Sequence, residues 1–268
     1  MATIKAVARR LIPRRIWSVG RRRVLKARVA RYDNRQVTHT YGGHQLTIEL
    51  PDALAAGWYD RPWDPLPEIL ELKRCGWLKP GGTIFDIGAH QGLVALMLAR
   101  ETGNDGLVIA VEAEAHNARA AERNRDLNGA QHLKVIHAAG SDRPGTLRFE
   151  EGLNGHVAQT GGGVEVPAVT VDELARHYGD PDVVMVDVEG FELPVLRGAR
   201  ETLAKRNAAF ILEVHHRDIR VGTVADLVAA LDGYDLLQTS GDSQPYTFSP
   251  FELGERAERF FLLATPLN

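Results

Sequence analysis

An acidic, glycine-rich turn is the part of this 268-residue sequence whose residue types are best suited to chemistry. Asp86 ends an apolar run and is followed by Gly88 and Gly92 in the pattern D-x-G-x-x-x-G. A second apolar run ends at Glu112. Glycines at such a turn let the backbone approach a ligand closely, and a carboxylate at the tip of the next strand can accept both hydroxyls of a ribose. The spacing predicts a βαβ unit that binds an adenosine-containing molecule.

The glycine spacing distinguishes between two adenosine-containing ligands. The dinucleotide pattern G-x-G-x-x-G is absent from this turn, which disfavours an NAD-dependent oxidoreductase. S-adenosylmethionine (SAM) has no pyrophosphate, and its amino-acid tail offers an ammonium to Asp86 and a carboxylate to the N–H groups at the start of the next helix. His90 lies inside the turn, and we expect it to contact that tail. The alternative is an ordinary structural turn that binds no ligand.

Polar residues also follow two further apolar runs. Asp187 and Glu189 come after the run at 183–186, and Glu213 and His215 end the next run. One interpretation is acid–base work, in which Asp187, Glu189 or His215 takes the proton from an attacking hydroxyl. Another is a divalent-cation site, for an ion such as Mg²⁺, built from Asp187 and Glu213 with His215 as a third ligand. The remaining alternative is that these residues only orient loops and cap helices.

Apolar runs alternate with helical patterns along most of the chain. This alternation predicts an α/β fold with a doubly wound, mostly parallel, seven-stranded Rossmann-like sheet. We predict strands at 83–85, 107–111, 134–138, 183–186, 209–214, 234–239 and 259–264, and helices at 68–78, 92–101, 115–127, 192–205 and 223–232. The last two strands are expected to pair as an antiparallel edge. Thr170, three residues before Glu173, predicts the N-cap of a further short helix.

Three segments depart from this alternation. A Gly-Gly turn at 42–43 predicts a hairpin over 38–50, and the stretch 51–67, rich in tryptophan, aspartate and proline, predicts a loop. Residues 141–170 predict an insertion with short strands around a glycine-rich loop. We divide the chain into a basic N-terminal helical segment with its hairpin, 1–50, and a SAM-binding domain, 51–268.

The charge of the chain is strongly uneven. Residues 1–35 hold twelve Lys or Arg and one acid, whereas the rest of the chain holds twenty basic and thirty-four acidic residues. Apolar residues are interleaved in the basic segment, so we interpret it as a cap or accessory helix. Contact with an anionic membrane surface, or with another partner, is the alternative. The acidic body disfavours a nucleic-acid partner.

The composition is typical of a globular protein, with 44% hydrophobic and 25% charged residues. A single cysteine, Cys75, excludes an internal disulfide and fits a reducing compartment. No apolar run reaches the roughly eighteen residues that a membrane span needs. We therefore expect a cytoplasmic protein, with peripheral membrane contact through the basic segment as an alternative. The sequence is compatible with a homodimer.

Several short blocks, taken in order, resemble the FkbM family of SAM-dependent methyltransferases. The blocks are Asp86-Ile-Gly-Ala-His-Gln-Gly92, Val111-Glu112, Ala138-Ala-Gly-Ser-Asp142, Val169-Thr-Val-Asp172, Val186-Asp-Val-Glu-Gly-Phe-Glu192, Val195-Leu-Arg-Gly198 and Leu212-Glu-Val-His215. The Asp-Val-Glu-Gly block is the most specific of them. The resemblance implies a class I methyltransferase fold and methyl transfer to a hydroxyl oxygen of a polyketide, sugar or similar metabolite.

The chain departs from the family pattern at two positions. His90 stands where the family commonly has Asn, so contacts to the methionine part of SAM differ. Many class I methyltransferases carry an acid near the position of Ala139 that binds the adenine amino group, whereas this chain has Ala138-Ala-Gly140 there. The resemblance therefore implies that backbone groups of residues 139–141, or the side chain of Asp142, contact the adenine.

These observations together predict a SAM-dependent O-methyltransferase. The predicted acceptor is a hydroxyl on a small molecule, such as a secondary metabolite, a sugar or a lipid-linked glycan. The alternatives are a methyltransferase that acts on RNA or protein, and a SAM-binding module without turnover.

Overall fold

The computed structural model describes residues 27, 29, 31–150, 152, 155–158, 163–239, 247–252, 254 and 259–267. Most of the basic segment predicted to form a cap or accessory helix, residues 1–26, lies outside the described residues. In the described part of the chain, no helix is both long enough and apolar enough to cross a membrane.

The predicted hairpin is present ahead of the main sheet. Strands β1, Arg35–Tyr41, and β2, His44–Leu50, pair antiparallel around the Gly-Gly turn. Helices α1, Ala53–Tyr59, and α2, Pro67–Arg74, follow. The loop predicted over 51–67 is therefore wrong in its first half. The side chain of Asp52 accepts hydrogen bonds from the N–H groups of Leu54 and Ala55, and this N-cap starts a helix despite the neighbouring prolines and tryptophans.

The central βαβ alternation follows the prediction closely. Its elements are β3 (Thr83–Ile87), α3 (Leu93–Thr102), β4 (Leu107–Glu112), α4 (Ala115–Leu127) and β5 (Leu133–His137). An insertion then carries β6 (Ala139–Gly140), β7 (Gly145–Glu150), β8 (His156–Val157) and β9 (Val164–Val169), which form a separate sheet in the order β6-β9-β7-β8. Helix α5 (Val171–Tyr178) begins at the predicted Thr170 N-cap, and Thr170 and Glu173 form a capping box.

The second half of the chain completes the main sheet. Its elements are β10 (Val183–Val186), α6 (Glu192–Arg197), α7 (Arg200–Lys205), β11 (Ala209–His215), α8 (Val224–Ala230), β12 (Tyr234–Thr239), β13 (Phe248–Pro250) and β14 (Arg259–Pro266). The single helix predicted over 192–205 is wrong, because it is broken at Gly198. Gly198 and Ala199 leave the helical conformation, and a Cβ at Gly198 would lie 2.0 Å from the carbonyl oxygen of Ser141, so only glycine fits at this break.

The main sheet has the strand order β13-β12-β14-β11-β10-β3-β4-β5. The five strands from β11 to β5 are parallel, and β14 runs antiparallel between β11 and β12, as predicted for the last two long strands. The seven predicted strands are all present, and β13 adds a short eighth strand at the edge. From β3, the chain first adds strands on one side of the sheet, β4 and β5, and later adds β10 and β11 on the other side, so the strand order reverses between β3 and β10. Ligands in doubly wound sheets bind at such a reversal, beyond the carboxyl ends of the strands.

Apolar side chains cover both faces of this sheet. The hairpin residues Tyr41, Leu46 and Ile48 are fully buried in the same core as helix α3 and strand β3. The opposite face packs against α5, α6 and α8. A sheet buried on both faces explains the nearly uninterrupted apolar strands of the sequence. The division of the chain at residue 50 stays a prediction.

Candidate active site

The turn after β3 brings two parallel strands into close contact. Gly88 has φ +99°, and a Cβ at this position would lie 1.8 Å from the carbonyl oxygen of Asp187 on the neighbouring strand. The N–H of Asp187 donates to the carbonyl of Ile87 at 2.9 Å. Only glycine fits both the backbone conformation and the contact. The turn therefore places the predicted cofactor residues directly beside the predicted catalytic residue Asp187.

Glu112 lies at the end of β4 with both carboxylate oxygens engaged by backbone donors. Oε2 accepts from the N–H of His90 at 2.8 Å, and Oε1 accepts from the N–H of Glu114 at 2.7 Å. Burial raises the pKa of Glu112 to about 8, against the effect of these two donors. Each oxygen keeps a second acceptor site, so the carboxylate is oriented by the turn and can still accept two ribose hydroxyls.

Asp86 is buried at the carboxyl end of β3. Its Oδ2 atom has no hydrogen-bond partner among the described residues, and its side chain lines the cavity described below. Burial and the charge of Asp187 raise the pKa of Asp86 to about 7. A buried carboxyl oxygen without a partner is costly, and a cationic donor would relieve that cost. The SAM ammonium is such a donor, so the residues at this turn fit the tail of SAM.

The acids and the histidine predicted at the ends of β10 and β11 form one cluster. His215 Nε2 lies 3.0 Å from Asp187 Oδ1, and its Nδ1 lies 3.3 Å from Glu189 Oε2. Burial disfavours the imidazolium, but the hydrogen bond with Asp187 and the surrounding carboxylates outweigh it and raise the pKa of His215 to about 9. His215 is therefore a cation that holds Asp187 and Glu189 in place. The Asp187 side chain remains 45% exposed toward solvent.

Glu213 adds a third acid to this cluster, with its own partner. Its Oε1 lies 3.8 Å from His215 Nε2 and 2.7 Å from Arg259 Nη1. The Arg259 contact is an ion pair without hydrogen-bond alignment, since Oε1 is buried and accepts no well-directed hydrogen bond. Burial and the charge of Asp187 raise the pKa of Glu213 to about 8, against the effect of Arg259 and His215.

The predicted cation site at Asp187 and Glu213 has donors close together but already engaged. One atom from each of Asp187, Glu213 and His215 lies within 4.8 Å of the others, a spacing that a divalent cation could bridge. The guanidinium of Arg259 contacts the Glu213 oxygen, and Nε2 of His215 bonds Asp187. A cation at this site would have to compete with the arginine for the Glu213 carboxylate and with Asp187 for Nε2 of His215. The metal site stays a prediction, and the contacts present favour an acid–base cluster.

A cavity of about 650 Å³ joins these groups. Among the described residues, its lining includes Asp86, Gly88, His90, Glu112, Ala139, Asp187, Glu189 and Glu213 from the predicted set. Gly92 instead starts helix α3 with φ +80°, and His215 lies behind the acids that it holds. The volume suits a ligand of the size of SAM together with part of an acceptor.

Of the residues predicted to contact the adenine, Ala139 lines the cavity and Asp142 does not. Ala139 is buried and lines the cavity, next to Ala138 and Gly140. Asp142 is exposed, hydrogen-bonds with the Ser141 hydroxyl, and is not among the residues that line the cavity. Of the two implied adenine contacts, only the one at residues 139–141 borders the cavity among the described residues, and it stays a prediction.

Several cavity residues were not predicted from the sequence. Tyr59, Trp58 and Trp63 come from the segment predicted as a loop, Glu68 from α2, and Phe149 from the insertion. Trp58 is 38% exposed, and its ring centre lies 5.3 Å from that of His90. No local pattern marks these residues, because long-range packing brings them to the site.

Comparison with known protein families identifies the family of this chain. A family model described as the Methyltransferase FkbM domain matches residues 86–236, which is more than half of the chain. The same region contains the turn, Glu112 and the acidic cluster. A search of curated proteins gave no significant match.

Solved methyltransferase structures are similar to this chain at low sequence identity. The methyltransferase FkbM from Methylobacillus flagellatus KT is 16% identical, with 68% of this chain and 43% of that chain covered and a TM-score of 0.46. The match thus spans less than half of that protein. A SAM-dependent O-methyltransferase from Thermotoga maritima is 15% identical, with 87% and 78% covered and a TM-score of 0.46. Aeropyrum pernix fibrillarin, in complex with natively bound S-adenosyl-L-methionine, is 16% identical, with 86% and 82% covered and a TM-score of 0.46.

Proposed function

Because the chain belongs to the FkbM family of SAM-dependent methyltransferases, as its sequence blocks predicted, we propose that it methylates a hydroxyl oxygen of a small molecule. The observation that carries the cofactor assignment is the unpartnered Oδ2 of buried Asp86, at a turn that only glycine can form and beside the oriented carboxylate of Glu112. This combination offers an ammonium acceptor, a close backbone approach and a ribose acceptor within one cavity.

The residues divide the work of binding and transfer. Asp86 holds the ammonium of SAM, Glu112 holds the ribose hydroxyls, and the surface near Ala139 contacts the adenine. SAM supplies an electrophilic methyl group on a sulfonium. Asp187 takes the proton of the acceptor hydroxyl as the oxygen attacks, because it is the exposed carboxylate of the cluster and lies beside the turn. His215 and Glu189 keep that carboxylate in position. No step of this scheme needs a metal ion.

The charge of the cavity supports a small acceptor over RNA. Among the residues that the structure describes, seven carboxylates and two arginines line the cavity. Such a lining attracts the positive charge of SAM and repels a phosphate backbone. An uncharged hydroxyl acceptor, such as a sugar or a hydroxylated metabolite, can enter without that repulsion. Methylation of RNA or protein remains the alternative function.

The proposal is tested by following methyl transfer directly. Purified full-length chain is incubated with SAM carrying a labelled methyl group and with a panel of sugars, polyols and hydroxylated lactones. The expected result is S-adenosylhomocysteine in equal amount to a methylated product in which the label is on oxygen. Label that enters only RNA or protein, supplied in parallel, would favour the alternative. Asp187→Asn serves as the matched inactive variant, because it keeps the size of the side chain and removes its basicity.

A further inference from the structure

Helix α1 is attached at both ends to the turn proposed to bind SAM. At its start, Asp52 Oδ2 accepts from Gln91 Nε2 at 2.8 Å and contacts His116 Nε2 at 2.9 Å, while Oδ1 caps the helix. Asp52 is only 2% exposed. At its end, the hydroxyl of Tyr59 lies 2.7 Å from Nδ1 of His90. Two consecutive residues of the turn, His90 and Gln91, therefore bond to one helix.

Tyr59 is buried and has a fixed position. It is 5% exposed, its carbonyl oxygen accepts a hydrogen bond from the Tyr41 hydroxyl, and its ring packs against Trp63. Burial and the charges of nearby acids raise the pKa of Tyr59 far above its usual value, so its hydroxyl keeps its proton. The hydroxyl therefore has a proton that it can donate to the imidazole nitrogen Nδ1, at the 2.7 Å that separates the two atoms.

His90 is held by contacts on several sides. Its backbone has φ +49°, a strained value for a residue with a side chain, and its N–H donates to Glu112. Its ring lies between Trp58, with ring centres 5.3 Å apart, and Tyr59, with ring centres 5.9 Å apart. His90 also lines the cavity. With Nδ1 accepting from Tyr59, the neutral ring carries its proton on Nε2.

We propose that Tyr59 is a positioning residue that fixes His90 as an Nε2–H donor to the carboxylate of the SAM amino-acid tail. This inference rests on the proposed function, since it takes SAM as the ligand. Two residues then bind the two charged groups of the tail: Asp86 accepts from the ammonium, and His90 donates to the carboxylate. The donor is specific to the tail, because the adenosine part of SAM is held at Glu112 and near Ala139.

The test uses ligands that differ only in the tail. SAM and S-adenosylhomocysteine carry the carboxylate, whereas 5′-methylthioadenosine lacks the whole amino-acid tail. Each is titrated calorimetrically into the wild-type chain and Tyr59→Phe. Tyr234→Phe is the matched control, because it removes a buried tyrosine hydroxyl that donates to Leu203 at 3.2 Å, on the opposite face of the sheet.

Tyr59→Phe should bind SAM and S-adenosylhomocysteine about tenfold or more weakly, the scale of one hydrogen bond to a charged group. Its affinity for 5′-methylthioadenosine should stay within about twofold of wild type, and Tyr234→Phe should bind all three ligands normally. Equal loss for all three ligands, or no loss for any, would overturn the proposal. Wild-type chain that binds 5′-methylthioadenosine but not SAM would also overturn it, and chain that binds neither would overturn the proposed function itself.

Two further measurements keep the proposal testable if Tyr59→Phe is unstable. His90→Ala should show the same selective loss of affinity for SAM and S-adenosylhomocysteine. Adding Tyr59→Phe to His90→Ala should weaken SAM binding no further, because the two changes remove the same interaction. Nitrogen-15 NMR of the His90 ring should show the Nε2–H tautomer in the wild-type chain. An Nδ1–H tautomer would contradict the proposed direction of the hydrogen bond.

Discussion

Replacing Gly88 by alanine tests the close approach of the SAM turn to Asp187. The added methyl group would stand 1.8 Å from the Asp187 carbonyl oxygen, whereas real Cβ atoms essentially never come within 3.0 Å of a neighbour. The two strands would therefore have to separate by at least about 1.2 Å, the difference between these distances. Such a shift breaks the 2.9 Å hydrogen bond from the Asp187 N–H to Ile87.

Three contributions determine how much Gly88→Ala should lower the free energy of unfolding. The positive φ of +99° at this position costs about 1–2 kcal/mol once a side chain is present. Loss of the inter-strand hydrogen bond costs about 0.5–1.5 kcal/mol, and the crowding of a packed core costs about 1–3 kcal/mol. Gly88→Ala should therefore lower the free energy of unfolding by about 2.5–6.5 kcal/mol, and the displaced turn should weaken SAM binding by about 100-fold.

Gly43→Ala is the matched control for this experiment. Gly43 has φ +91°, close to that of Gly88, but a Cβ there has nothing within 4 Å. Gly43→Ala should lower the free energy of unfolding only by the cost of the positive φ, about 1–2 kcal/mol, and should bind SAM normally. Urea unfolding gives the stabilities and calorimetry gives the affinities. If Gly88→Ala were no less stable than Gly43→Ala and bound SAM as tightly as wild type, the contact between the turn and Asp187 would be refuted.

Three further predictions concern titration, transfer and folding. Burial raises the pKa of unliganded Glu112 to about 8, and ribose hydroxyls favour its ionised form. SAM binding at pH 7 should therefore release protons, and affinity should rise with pH up to about 8 and then level off. Calorimetry in buffers of different ionisation enthalpy measures the release, which should be reduced in Glu112→Gln. Asp187→Asn should lower kcat by about 10²–10⁴-fold while leaving SAM affinity nearly unchanged, and an equal loss of affinity would argue against a role in proton transfer. Thr170→Ala removes the hydroxyl that caps the N–H of Glu173, while the backbone N–H of residue 170 can still donate to Glu173, and should cost about 1 kcal/mol in urea unfolding with SAM binding intact. Altered SAM binding in this last variant would mean that helix α5 is coupled to the site.

The parts of the fold that sequence reasoning predicted are those encoded locally. Buried parallel strands need continuous apolar runs, so β3, β4, β10 and β11 were visible within a few residues of their ends. The grouping of the acids at the strand ends could be predicted from these strands, because the carboxyl ends of parallel strands lie at one edge of the sheet. Glu213 and His215, two residues apart on β11, point to the same side as expected, with their side chains 3.8 Å apart.

The parts that it did not predict depend on distant partners. Helix α1 begins because Asp52 caps it, and Asp52 is itself fixed by Gln91 and His116, which follow it by 39 and 64 residues. At the break in the predicted helix, Gly198 meets the carbonyl of Ser141 in the insertion, where a Cβ would not fit. Neither contact leaves a local pattern in the sequence. Tyr59 was not predicted as a site residue for the same reason, because nothing near it in the chain indicates that it contacts His90.

The central claim is that the cavity between β3 and β10 binds SAM through Asp86 and Glu112. The most direct test is calorimetric titration of the purified full-length chain with SAM and, separately, with NAD. We expect one SAM site per chain, no NAD binding, and SAM affinity about 10–100-fold weaker in Glu112→Gln, because a charge-assisted acceptor becomes a neutral one. Absence of SAM binding, or SAM binding that Glu112→Gln leaves unchanged, would show that Asp86 and Glu112 do not form a SAM site.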